Sequence, residues 1–141
     1  MLDNTINRFK KAQEHSHRKA KKELLEGEKQ SHWMWYTFPQ LKGLGYSMYS
    51  KYYGIDGREE ALLYLRDDVL RKHLLELCEI LLSLPESNAI DIFGYPDNLK
   101  LQSSMTLFDA MAPEYTIFRK ILNKFFNGEP DYKTLQMLSS K

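Results

Sequence analysis

PDNLKLQSSMTLFDAMAP, residues 96–113, runs between two prolines and decides the fold. Pro96 suits the first turn of a helix and Pro113 cannot continue one, so the punctuation predicts a helix from Pro96 through Met111. Leu101, Met105, Leu107, Phe108, Ala110, Met111 and Ala112 then surround most of its circumference. A helix that is apolar on nearly every side is a buried one, and other elements must pack around it.

Working outward, those elements also read as helices. Asp3 or Asn4 can cap a first one running to about Glu26, with Ile6, Phe9, Ala20 and Leu24 at helical spacing and Gly27 as its stop. Arg58 to Leu65 is a shorter helix. A longer one starts near Asp67, where Val69, Leu70, Leu74, Leu77, Cys78, Leu81 and Leu84 keep the 3.6-residue period until Pro85. Tyr115 to Asn127 follows, with Gly128 behind it, and Thr134 to Leu138 is a last turn or two. Residues 31–56 are the least helical part: Gly43, Gly45, Gly54 and Gly57 mark a loop-rich aromatic segment, although Tyr46, Tyr49 and Tyr53 can share one helix face. The expectation is an all-α chain of about five to seven helices, one compact domain over residues 1–141.

Composition narrows the function classes. The 141 residues, 43% hydrophobic and 28% charged, suffice for one domain that buries roughly 70% of its unfolded surface. A formal net charge of +1 provides no global attraction to nucleic acid or acidic membranes, so electrostatic recognition must come from a local patch. The lone cysteine, Cys78, excludes an internal disulfide framework and a multi-cysteine metal site, and among leucines it reads as an inert core thiol. No charged-then-apolar leader opens the chain and no apolar run approaches the ~20 residues that span a bilayer. A cytoplasmic protein without a membrane partner is the expectation; nothing sets an oligomeric state.

The polar residues of the central helix are informative because its surroundings are apolar. Lys100 lies in the first turn, where the helix dipole disfavours a cation and calls for a compensating anion. Ser103 and Ser104 stand three and four positions on, beside the free amides of the first turn, and the group suits a phosphate or carboxylate. The alternative is structural: Lys100 pairs with Asp97 or another carboxylate, and the serines bond back to helix carbonyls.

SHWMWYTFPQLKGLG, residues 31–45, is the natural opposite wall. Trp33, Trp35, Tyr36 and Phe38 can each simply fill a core. Core packing explains less well why Ser31, His32, Thr37 and Gln40 are interleaved with them, since buried polar groups need partners. An apolar wall with spaced donors and acceptors is the usual lining of a small-molecule site, and flat rings suit a flat ligand. Gln13, on the inner side of the first helix, either buttresses this segment or touches the ligand.

These residues carry a resemblance. Ala12-Gln13, EGEKQSHWMWYTFPQLKGLG, KYYGI, EALLYL, IFGYPDNLKLQSSMTLF and the terminal TLQML together resemble a bacterial family of unknown function whose members often bear the automatic label calpastatin. The likeness covers nearly the whole chain, and the HWMWYTFPQ and KLQSSMTLF segments are its specific parts. A mainly helical fold is what it implies. Calpastatin proper is a disordered inhibitor poor in aromatics, and 13% aromatic content with clear helical periodicity excludes that role. Where the resemblance leads one to expect a tyrosine in the first helix and an Ala-Leu pair further on, this chain has His17 and Ala20-Lys21, which makes that helix basic.

The basic helix opens an alternative. Lys11, His15, Arg18 and Lys22 form a cationic stripe followed by aromatics, the composition of a nucleic-acid or protein-binding adaptor, although Glu14, Glu23, Glu26 and Glu28 are mixed in. Cofactor and catalytic motifs are scarce: no P-loop, no dinucleotide fingerprint, no His-Glu-x-x-His pair, no nucleophile elbow. His15 and His17, two apart, point to different sides of a helix and make a poor metal pair. The catalytic candidates are His32 as acid-base group and Lys100 with Ser103 or Ser104 as a dyad, each with a structural alternative; Asp97 and Asp109 are further carboxylates. The expected site is therefore a pocket for a planar, anion-bearing small molecule, a nucleotide or nucleotide-derived metabolite. Gln13, His32, Trp33, Trp35, Phe38 and Gln40 face Lys100, Ser103, Ser104 and Thr106 across it. Hydrolysis or transfer at a nucleotide or ADP-ribose-like substrate is the reaction class to test first.

Overall fold

Ser47 and Asn88, which no apolar period singles out, each start a helix. The computed structural model describes residues 5–140. Among them the elements are α1 (Asn7–Leu25), α2 (Met34–Thr37), α3 (Met48–Tyr53), α4 (Arg58–Arg66), α5 (Asp68–Ser83), α6 (Ala89–Phe93), α7 (Asp97–Met111), α8 (Ile117–Phe126) and α9 (Tyr132–Ser139). The six helices read from periodicity are present with ends shifted by a few residues. The expected count of five to seven is corrected to nine among the described residues, because α2, α3 and α6 are only four to six residues long and show no period. Capping sets two of them: Ser47 Oγ accepts the Ser50 N–H at 3.0 Å, and Asn88 Oδ1 accepts the Ile90 N–H at 2.9 Å. The cap expected at Asp3 or Asn4 lies outside the described residues.

As its all-round apolar surface requires, α7 is central, packed against α4, α6, α8 and α9. Leu101, Met105, Leu107 and Phe108 are inaccessible there. The second axis is α5, which turns Leu70, Leu74, Leu77 and Leu81 inward and touches α1, α4 and α8. Cys78 sits between the two, its Sγ 3.8 Å from Met105 Sδ, and burial pushes its thiol pKa up, so it is an inert core group. Both ends of α5 are capped by side chains. Asp67 accepts the Leu70 N–H at 3.0 Å, and the Lys124 ammonium donates to the carbonyls of Leu81, Leu82 and Leu84.

The aromatic segment is held by a small backbone clasp. Ile55 donates its N–H to the Gln40 carbonyl at 2.8 Å and accepts that of Lys42 at 2.8 Å, a lone parallel bridge between Leu41 and Ile55. Gly54 allows this approach, since a Cβ there would stand 2.6 Å from the Lys42 Cα. The clasp brings α2 and α3 against one another as two walls. No helix among the described residues is long and apolar enough to cross a membrane.

Candidate functional site

On charge-rich α1 one glutamate does not face water. Glu23 is 6% exposed, and its carboxylate accepts the N–H groups of Gln30 (2.7 Å) and Ser31 (3.0 Å), the Ser31 hydroxyl (2.6 Å) and the Trp33 indole N–H (2.9 Å). Burial acts to raise its pKa, but the four hydrogen bonds outweigh it and hold the group at about 2. Glu23 thus ties the start of the aromatic segment to α1 and pulls Trp33 inward. Trp33 is 1% exposed and packs with Phe38 and Phe93.

Two positions on, Trp35 turns the other way. Successive helix residues step 100°, so residues 33 and 35 stand about 200° apart around α2. Trp35 lies 5.0 Å from Tyr49, and Tyr36 lies 5.1 Å from Tyr53, measured between ring centroids. With His32, these four rings line a cleft of about 490 Å³ between α2 and α3. The Trp35 indole nitrogen is itself buried and unpartnered. Tyr36, Tyr49 and Tyr53 were not among the sequence candidates; the tyrosine spacing in α3 was the available signal.

Lys100 reaches the Trp35 ring from α7. Its Nζ stands 4.5 Å from the Trp35 ring centroid and 3.3 Å from Asp97 Oδ1, while Asp97 Oδ2 is 2.8 Å from Lys29 Nζ. One carboxylate therefore serves two ammonium groups, leaving an excess positive charge. Lys100, Trp35, Phe38 and Gln40 share a crevice, so the two segments do meet across some sixty residues, but its volume is only about 10 Å³.

The other expected members point elsewhere. Trp33 is corrected to a core residue, because its indole is spent on Glu23. Phe38, 1% exposed, is mostly core and reaches the crevice at one edge. Gln13 is the buttress: Nε2 donates to the Tyr36 carbonyl (2.7 Å) and Tyr64 Oη (2.9 Å), and Oε1 accepts from His73 Nδ1 (2.8 Å). Ser103 Oγ donates to Asp131 Oδ2 at 3.0 Å, and Thr106 Oγ1 accepts the Asp131 N–H at 2.8 Å, so both build the cap of α9 instead of facing the aromatic wall. Ser104 is fully buried with an unpartnered hydroxyl and does not line the crevice. The cause is common to all three: α7 is packed on several sides, and each 100° step turns its residues to a different neighbour. His32, Lys100 and Ser104 consequently form no catalytic constellation.

Two further depressions flank the aromatic cleft. One, of about 420 Å³, shares His32 and Tyr36 with it and is otherwise lined by His15, Ser16 and Lys19 of α1 together with Gln30, Ser31 and Trp33. The other, of about 910 Å³, runs along the N-terminal half of α1. Its floor is the bidentate Arg8–Glu60 pair (2.9 Å to each oxygen), and Arg8 also donates to the Tyr52 and Gly54 carbonyls. Lys10 on its rim is paired with Asp67 at 2.9 Å. Much of its charge is thus already matched, and size alone does not make it the better site. Lys11, His15, Arg18 and Lys22 are all exposed along α1, interleaved with exposed Glu14 and Glu26. Among the described residues no group of three or more His, Cys, Asp or Glu is placed to hold a metal.

Against known proteins, residues 3–138 match the family described as protein of unknown function (DUF1810). The fold is similar to the crystal structure of the conserved hypothetical protein Rv1873 from Mycobacterium tuberculosis, at 40% identity and a TM-score of 0.93, over 95% of this chain and 96% of that one. No curated protein matches.

Proposed function

The chain belongs to this family of unknown function, so its activity has to be read from its own residues, and we propose that the cleft between α2 and α3 binds a planar small molecule bearing an anionic group. A nucleotide or nucleotide-derived metabolite is the ligand class. The observation that carries the reading is the ring set itself: His32, Trp35, Tyr36, Tyr49 and Tyr53 line one cleft, with the Lys100 ammonium against the Trp35 ring. Its volume of about 490 Å³ falls in the range of small-molecule sites. Lys29 and Lys100, sharing one carboxylate, supply a positive field beside it. Binding is favoured over hydrolysis or transfer through a serine, since Ser103 and Ser104 do not reach the rings; His32 stays an acid-base candidate at the exposed rim.

Tryptophan fluorescence tests this directly, because Trp33 is buried and Trp35 forms the wall. Titration with the four common nucleoside monophosphates, ADP and ADP-ribose is expected to produce saturable quenching by at least one of them, abolished in Trp35→Leu. No saturable change with any of them overturns the reading. A single-stranded oligonucleotide belongs in the same panel: tight, sequence-selective binding that persists at physiological salt would favour the basic-helix adaptor instead, since purely electrostatic contacts weaken steeply as counterions compete.

A further inference from the structure

The two ends of the aromatic cleft differ in what they can accommodate. At the α7 end the Lys100 crevice has about 10 Å³, hardly the space of one water and far too little for a phosphate. Lys100 is also engaged already with Asp97 and the Trp35 ring. At the α1 end the adjoining depression has about 420 Å³ and shares two walls, His32 and Tyr36, with the aromatic cleft. The two spaces therefore adjoin at that wall.

The chemistry of that second depression is one-sided. His15 and Lys19, four residues apart, stand on one face of α1, and His32 opposes them from the aromatic segment. All three are exposed, so they can reorganise around a ligand. No carboxylate is among its lining residues. Glu23 lies behind the wall, where Gln30, Ser31 and Trp33 already occupy its oxygens. The Ser16 and Ser31 hydroxyls donate to the Ala12 carbonyl and to Glu23, which leaves the nitrogen donors of His15, Lys19 and His32 facing the space. Nitrogen donors without carboxylate competition suit an oxyanion, and a phosphate or diphosphate above all.

We infer that the site is bipartite: the planar ring rests in the aromatic cleft, and the anionic group is held by His15, Lys19 and His32 at the α1 end rather than by Lys100. The ligand class sharpens accordingly to a nucleoside phosphate, in which a sugar spans the shared His32–Tyr36 wall. This rests on the reading of the aromatic cleft above, and the two can fail separately.

The test uses the full chain and three probes: adenosine for the ring, pyrophosphate for the anion, ADP for both. Adenosine is expected to shift the Trp35 indole resonance in NMR spectra, and pyrophosphate to shift the imidazole resonances of His15 and His32 but not those of His17 and His73. ADP should bind about 10-fold or more tightly than adenosine, the gain expected of charge-assisted hydrogen bonds, and Lys19→Met should remove that gain. Lys19 is exposed, so the substitution does not threaten folding. If adenosine binds and ADP is no tighter, or if the gain survives Lys19→Met and disappears in Lys100→Met, the bipartite site is overturned while the ring reading stands. If pyrophosphate shifts the histidines but neither adenosine nor ADP perturbs Trp35, the ring reading falls and the bipartite site with it.

Discussion

Trp33 and Trp35 are separated by one residue and belong to different worlds. The Trp33 side of the segment is closed: its indole is bonded to Glu23, and its ring packs with Phe38 and Phe93. The Trp35 side is open, meeting Tyr49 and the Lys100 ammonium at the edge of a cleft, with its indole nitrogen unpartnered. The difference teaches that the closed face anchors the segment while the open face leaves its rings lining a cleft. A wall of rings can stay half exposed without collapsing because its other side is hydrogen-bonded into the core, an arrangement that keeps a site preformed.

The sharpest way to break this comparison is to cut the closed side. Glu23→Ala strands a buried indole N–H and two backbone N–H groups, and Trp33→Ala empties a core position; each should cost about 4 kcal/mol in urea unfolding. A cost below about 1 kcal/mol for Glu23→Ala would mean that the segment is not anchored there.

Acid should act through the same residue. The Glu23 pKa of about 2 in the folded chain lies below its ordinary value of 4.5, because hydrogen bonds to the charged form outweigh burial. Its contribution is thus fully present above pH 4.5 and is lost as pH falls toward 2. By linkage it amounts to about 3 kcal/mol at neutral pH. Glu60, Asp67 and Glu76 are also held below their usual range, so the wild type has a background acid slope. The check is the difference: the stability of Glu23→Gln should fall less steeply between pH 4.5 and 2 than that of the wild type.

A smaller effect separates the two lysines that share Asp97. Asp97→Asn leaves Lys29, whose side chain is 9% exposed, without its charged partner and should cost about 2 kcal/mol. Lys100→Met removes the second cation while Lys29 keeps the carboxylate, so the apoprotein should change by less than about 1 kcal/mol. A loss of several kcal/mol in Lys100→Met would make Lys100 a structural residue and remove its charge from the candidate site.

A comparably small effect is expected on the open face. Trp35→Ala should cost only about 1 kcal/mol, against about 4 for Trp33→Ala, since a half-exposed ring loses less on truncation. In the single-tryptophan variants Trp33→Phe and Trp35→Phe, acrylamide should quench Trp35 readily and Trp33 hardly at all. Equal quenching would erase the distinction.

Much of the fold was legible because it is local. The leucine period of α5 and the proline brackets of α7 act through residues three and four apart, and the polar Gln13 on an apolar face announced a partner. The pairing of Lys100 with Asp97 was legible too, as the structural alternative for a cation in the first turn of a buried helix. Glu23 was not, for on charge-rich α1 it looks like any solvated glutamate. Nor was the depression at the α1 end, because His15 was visible only as part of a cationic stripe and Lys19 as no part of it.

The sequence by itself determined that the chain is helical, that the segment from Pro96 to Pro113 is central, and that residues 31–40 are rich in rings and polar groups at once. Periodicity and punctuation are properties of neighbours along the chain, and they survive without a third dimension. Which tryptophan closes and which opens, which faces of α7 receive Ser103, Ser104 and Thr106, and which cations share one carboxylate were decided by tertiary structure. These depend on partners as far as 10 to 68 residues away, from Glu23 to Trp33 and from Lys29 to Asp97. A one-turn helix turns its side chains to every side, and only the packing around it selects which side meets water.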